Sequence, residues 1–89
     1  MIYKLKDGFL VLKIGEQIMA VPVGQQTSQI HGMIALSESG ELLWRALEKG
    51  ADEEALADIL TETYEVERST ALADIRKFLD GLREQGALA

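Results

Sequence analysis

The spacing of apolar positions indicates strands in the first part of the chain. After the turn dipeptide Asp7-Gly8, residues 9–14 form a mostly apolar run, and a second apolar run covers residues 17–24. Pro22 lies near the end of the second run, where a missing N–H disturbs a strand ladder least. We interpret the two runs as a hairpin, and residues 33–36, which follow a polar loop, as a third and shorter strand.

Beyond Ser37 the apolar spacing becomes helical. Ser37 is suited to cap a first helix that ends at Gly50, and Asp52 is suited to cap a second helix. The third helix is the longest and runs from about residue 67 to residue 85. Three short strands are not stable without helices on one face of the sheet. We therefore predict one α+β domain over residues 1–89, with a three-stranded antiparallel sheet followed by three helices.

The predicted third helix has an apolar stripe with a basic border. Six apolar side chains fall within an arc of about 120° on a helical wheel: Ala71, Leu72, Ile75, Phe78, Leu79 and Leu82. Arg68 falls inside this arc, and Arg76 and Arg83 border one side of it, while Asp74 borders the other. Two interpretations are open. The arginines either are solvated and pair along the helix, as Arg76 with Asp80, or form the margin of a groove for an acidic amphipathic partner.

Charge restricts the partners of this chain. Its 89 residues include 9 Lys and Arg against 15 Asp and Glu, a net charge of −6. Residues 37–66 contain two basic and nine acidic side chains, a sum of 2 − 9 = −7, so the whole deficit lies there. Negative charge opposes nucleic acid and anionic membranes, and we expect neither as a partner. The sequence has no signal-like N-terminus and no apolar run long enough to span a membrane, so we expect a cytoplasmic protein.

No group of side chains has the spacing of a catalytic or metal site. The chain has no cysteine and one histidine, His31, which excludes disulfides, thiolate ligands and histidine clusters. The acidic face of the second helix lacks the glycine-containing pattern of a calcium loop. We expect no catalytic residue, no metal and no cofactor, and therefore no enzyme. Trp44 is expected in the core, and Met33 fits either the core or a pocket.

Three blocks of the sequence resemble PqqD-like proteins. The first block is Gly32-Met33-Ile34-Ala35-Leu36-Ser37-Glu38-Ser39-Gly40, followed by Leu43-Trp44. The second is Val21-Pro22-Val23-Gly24 at the end of the second strand. The third lies in the last helix and comprises Asp74-Ile75, Phe78-Leu79, Leu82 and Gly86. The blocks follow one another in the family's order and spacing, and the resemblance spans about Leu5 to Leu88.

The resemblance implies a RiPP recognition element, a winged-helix-like domain that binds the leader segment of a ribosomally synthesised precursor peptide. In that family the leader adds as a strand to the third strand, between it and the third helix, and is presented to a modifying enzyme, commonly a radical SAM protein. An open strand edge offers unpaired N–H and C=O groups for such addition. Carried onto this sequence, the resemblance implies these peptide-binding residues: Met33, Ile34, Ala35 and Leu36 at the strand edge, Leu72, Ile75 and Leu79 as an apolar wall, and Arg68 and Arg76 opposite acidic leader side chains.

Several alternatives are open at this point. Because strand side chains alternate, only one pair, Met33 with Ala35 or Ile34 with Leu36, can face the groove. For the three residues of the apolar wall, a place in the protein core is the favoured alternative, and the arc is wide enough for both roles to be divided among them. The alternative function is a winged-helix DNA-binding or transcription-related module whose third helix enters the major groove, and a third is a small hydrolase or metal-binding domain. The precursor, the product class, the modifying enzyme and the oligomeric state are left open by the sequence.

Overall fold

A computed structural model describes residues 1–23 and 33–89 of the chain. Its elements are β1 Phe9–Ile14, β2 Gln17–Pro22, β3 Ile34–Leu36, α1 Glu38–Lys49, α2 Glu53–Thr63 and α3 Arg68–Glu84. This order confirms the predicted α+β fold of three strands followed by three helices. The predicted polar loop over residues 25–29 and His31 lie outside the described residues. None of the described helices is long and apolar enough to cross a membrane.

The strands form an antiparallel sheet in the order β1-β2-β3. A tight turn at Gly15 joins β1 to β2, and its φ of +63° suits a residue without a side chain. Pro22 pairs with Phe9 at the last position of β2, which confirms that its missing N–H falls at the end of the ladder. β3 begins at Ile34, one residue later than predicted.

Helices cover one face of the sheet, as the small size of the sheet requires. Ile34 and Leu36 of β3 point to this inner face and are buried. Leu10, Leu12 and Ile14 of β1 point to the opposite face and are exposed. The core therefore lies between the inner face of the sheet and the three helices, and the outer face stays apolar on β1.

Trp44 confirms the expectation that the indole belongs to the core. It lies on α1 with only 1% of its surface exposed. The ring of Phe9 meets it edge to face, with the ring centroids 5.3 Å apart and the planes at 81°. Met33, in contrast, is 55% exposed, so it does not fill the core.

Two side-chain caps fix where α1 and α2 begin. The backbone N–H of Gly40 donates to the hydroxyl oxygen of Ser37 at 3.0 Å. The backbone N–H of Ala55 donates to a carboxylate oxygen of Asp52 at 2.8 Å. Both caps were predicted, and each satisfies an N–H that has no partner inside its helix. Gly50 ends α1 with a φ of +101°, also as predicted.

Residues 4–6 and 87–89 pair with each other, a feature that the sequence pattern does not predict. The N–H of Lys6 donates to the carbonyl of Ala87 at 2.9 Å, and the N–H of Ala89 donates to the carbonyl of Lys4 at 2.8 Å. Leu5 between them is buried. These short segments have no apolar period long enough to predict pairing, so only the folded structure reveals it.

Candidate functional site

The open edge of β3 is the first part of the candidate site. β3 pairs with β2 on one side, and among the described residues no strand pairs with its other side. The unpaired edge leaves backbone N–H and C=O groups available to an added strand. Ile34 and Leu36 point to the inner face, whereas Met33 and Ala35 are exposed. Of the two pairs that strand alternation allowed, Ile34 and Leu36 are therefore the pair on the side of the helices.

Helix α3 has two flanks with different neighbours. We call Asp74 and Phe78 the β3 flank, because the ring of Phe78 lies where β3 ends and α1 begins. A β-carbon added at Gly40 would lie 3.5 Å from the Phe78 ring and 3.8 Å from the β-carbon of Leu36. The absence of a side chain at Gly40 thus allows α1 to start close to both the end of β3 and the middle of α3.

The opposite side of α3 is the α2 flank, formed by Arg68, Leu72 and Arg76. A guanidinium nitrogen of Arg68 donates to Asp58 at 2.9 Å, and another donates to the carboxylate of Glu54. The hydrogen bonds that Arg68 donates to Asp58 and, to a smaller extent, to Glu54 raise the pKa of Arg68 above its ordinary value.

Arg76 also contacts α2. Its Nε donates to a carboxylate oxygen of Glu53 at 3.4 Å. The pair that the sequence suggested, Arg76 with Asp80, is not formed, because Asp80 instead pairs with Arg83 at 3.1 Å. The arginines are thus exposed and paired, mainly across helices and not along one.

The residues predicted to bind peptide do not all lie together. β3 contributes Ile34 and Leu36 next to the open edge, but Arg68 and Arg76 lie against α2. Ile75 is fully buried, Leu79 is 2% exposed and Leu72 is half-buried against the core. The structure therefore places Ile75 and Leu79 in the core, where they support the surface of α3 from beneath. Their neighbours on the β3 flank, Asp74 and Phe78, were present in the helical wheel but were not singled out.

A groove of about 620 Å³ opens at the end of β3. Its walls are the start of α1, the end of α2 with the segment that follows, and the β3 flank of α3. We call it the end groove. Its apolar lining consists of Leu43, Leu60, Tyr64, Val66 and Phe78, and its polar lining of Ser37, Glu38, Ser39 and Asp74, with Gly40 between them.

The polar side chains of the end groove include two carboxylates. Within the part of the chain that the structure describes, neither Glu38 nor Asp74 makes a salt bridge. Glu41, one turn after Glu38, is different, because it lies 3.7 Å from Lys13 and 3.9 Å from Arg45. The end groove therefore combines an apolar lining with two carboxylates that form no salt bridge within the described part of the chain.

The open edge of β3 and the end groove together offer features suited to binding a ligand. The described residues contain no group of three or more histidine, cysteine, aspartate or glutamate side chains arranged to hold a metal ion. A strand edge, an apolar groove and a pair of carboxylates instead provide backbone hydrogen bonds, buried apolar area and charge selectivity. Those are the three components of recognition of an extended peptide.

Comparisons with known proteins agree with this geometry. The family model described as coenzyme PQQ synthesis protein D (PqqD) matches residues 18–88. A comparison with curated proteins finds no match. Among solved structures, TbiB1 in complex with the TbiA(beta) leader peptide is similar, with a TM-score of 0.76 and 27% sequence identity. The similarity covers 96% of this chain and 93% of that chain.

Proposed function

Because this chain belongs to the PqqD family, we propose that it is a RiPP recognition element, which binds the leader segment of a ribosomally synthesised precursor peptide. The main support for the proposal is that this chain is similar, along 96% of its length, to a protein whose structure contains a bound leader peptide. The open edge of β3 and the adjoining end groove are the surface on this chain that suits such a ligand.

Binding would proceed by addition of a peptide strand to β3. Backbone hydrogen bonds to the edge formed by residues 33–36 supply affinity that depends little on sequence. Side chains of the added strand alternate between the two faces of the sheet, so every second one points to the side of Ile34 and Leu36. Those inward side chains approach Phe78 and supply the specificity.

The residues of the α2 flank have a supporting role in this proposal. Arg68 and Arg76 would have to give up Asp58, Glu54 and Glu53 before they paired acidic leader side chains. We therefore assign the two arginines to fixing α2 against α3. Leu72 lies on the same flank and packs against the core, so we assign it to stability and not to contact with the peptide.

The proposed role is presentation without chemistry of its own. A precursor held by its leader remains free elsewhere for a modifying enzyme, and family membership favours a radical SAM protein or a similar enzyme as that partner. In this proposal the chain and the modifying enzyme both meet the precursor in the cytoplasm, where it is synthesised. A DNA-binding role for α3 is not favoured, because Arg68, Arg76 and Arg83 all pair with carboxylates of the same chain.

An amide NMR titration tests the proposal. The labelled chain is titrated with the leader region of a precursor peptide encoded beside it, and we expect shifts concentrated at residues 33–36 and around Phe78. Amides of the β3 edge should also exchange more slowly with solvent in the complex, because they become hydrogen-bonded. A matched pair of leader peptides sharpens the test. In one peptide, proline replaces residues whose N–H points to the edge of β3, which removes hydrogen bonds to that edge; in the other, proline replaces residues whose N–H points away, which removes none. A well-dispersed spectrum that two unrelated leaders leave unchanged would contradict the proposal.

A further inference from the structure

The charge of the end groove adds a specificity that strand addition alone does not supply. Glu38, at the first position of α1, and Asp74, in the middle of α3, both line the groove beside Phe78. Strand addition reads backbone groups and is indifferent to charge. Two carboxylates beside an apolar lining discriminate between ligands of opposite charge. Such discrimination rests on the proposed peptide-binding function and determines which peptides the site selects.

The surroundings of the groove reinforce its negative charge. Glu65 and Glu67 flank Val66, a lining residue, and both are exposed. Arg68 and Arg76 of α3 are engaged with carboxylates of α2. The whole chain carries a net charge of −6. An acidic peptide would therefore meet repulsion at this end of the molecule, and a basic one would be attracted.

The position of the groove defines which part of a bound peptide reaches it. β3 ends at Leu36 and the groove begins at Ser37. In an antiparallel pairing, like the other pairings of this sheet, the residues that precede the added strand lie beside the end of β3. Those residues continue past the strand edge and over the end groove. The groove thus reads the N-terminal side of the strand-forming segment.

We infer that the leader bound by this chain carries one or more Lys or Arg residues on that N-terminal side, next to an aromatic or large aliphatic side chain. The apolar side chain seats among Leu43, Tyr64 and Phe78. The long basic side chain lays its methylene groups on the same lining and places its charge at Glu38 and Asp74. These two carboxylates are specificity-determining residues, and the selected charge is opposite to that expected from Arg68 and Arg76.

Selection from a display library of random peptides tests this inference without knowledge of the natural leader. The intact chain is immobilised, and bound peptides are sequenced after several rounds. We expect an excess of Lys and Arg on the N-terminal side of a strand-forming segment that contains an aromatic or aliphatic residue. The best peptide is then measured against Glu38→Gln, Asp74→Asn and the double variant. Affinity should fall about fivefold in the double variant, since each partly exposed ion pair contributes modestly.

The matched control removes the same two charges elsewhere. Asp7→Asn combined with Glu84→Gln changes two exposed acidic residues outside the lining of the end groove, and its affinity should equal that of the unaltered chain. Asp74→Asn is informative by itself, because Glu38 also stabilises the start of α1. Selected peptides without a basic excess, or equal affinity for the groove variant and the control, would overturn the inference and leave peptide binding intact. A selection that enriches no peptide at all would reject peptide binding and the inference with it.

Discussion

Both flanks of α3 carry charged side chains beside the same apolar stripe. They differ in whether those charges are already paired within the chain. The α2 flank carries basic side chains that are already bonded to Asp58, Glu54 and Glu53. The β3 flank carries Asp74 and Phe78, which line an open groove. One flank is thus satisfied by the chain itself, and the other is available to a ligand. The comparison shows that a charged border on an amphipathic helix identifies a site only when the neighbouring element leaves it unpaired.

The largest effect on stability is expected at Ile75, which lies in the core beneath both flanks. Ile75 is fully buried between them, so Ile75→Ala should lower the free energy of unfolding by about 3 kcal/mol, from lost apolar burial and the cavity left behind. That is a large fraction of the stability of a small domain. Chemical denaturation monitored by the fluorescence of Trp44 measures the loss. Ile75→Val, which removes one methyl group, should cost about 1 kcal/mol, and equal losses in the two variants would show that the site is not close-packed.

Phe78→Ala and Leu72→Ala separate the two flanks. Both remove a half-buried apolar side chain of α3 that packs against the core. We expect Phe78→Ala to weaken binding of a selected peptide about tenfold, because it removes an aromatic wall of the groove. Leu72→Ala should leave affinity for the peptide unchanged. Each of the two variants should lower the free energy of unfolding by about 1–2 kcal/mol. Isothermal titration with thermal unfolding on the same samples distinguishes the two outcomes, and a greater affinity loss in Leu72→Ala would reverse the assignment of the flanks.

The sequence was sufficient to predict the strands and helices but not the difference between the two flanks of α3. The strands, the caps at Ser37 and Asp52 and the burial of Trp44 follow from local spacing, since apolar period and capping chemistry act within a few residues. The partners of Arg68 lie 10 and 14 positions away along the chain. A helical wheel places Arg76 and Asp74 on opposite sides of the apolar stripe, but it contains no information on which helix or strand covers each side.

The caps offer a smaller contrast between the groove and the rest of the fold. Ser37 caps α1 at the mouth of the end groove, whereas Asp52 caps α2 outside it. Ser37→Ala and Asp52→Ala should each lower stability by about 1 kcal/mol through an unsatisfied N–H. Only Ser37→Ala should also weaken peptide binding, by about twofold, because fraying of α1 displaces Glu38. Thermal unfolding and titration of both variants check this, and weakened binding in Asp52→Ala would show that the effect of Ser37→Ala is general destabilisation.

The smallest effects are expected at the arginines of the α2 flank. Arg76 reaches Glu53 at 3.4 Å with most of its side chain exposed, and Arg76→Gln should cost about 0.3 kcal/mol of stability. Arg68→Gln removes contacts to two carboxylates, so its effect on melting temperature should be the larger of the two and should diminish as salt is raised. Neither variant should change affinity for a selected peptide, because neither side chain faces the groove. Arg68→Lys and Arg76→Lys retain the charge and serve as controls. A loss of affinity in the glutamine variants that is absent from the lysine variants would instead show that the α2 flank contacts the peptide. A charge that only pairs α3 with α2 should not change the binding constant.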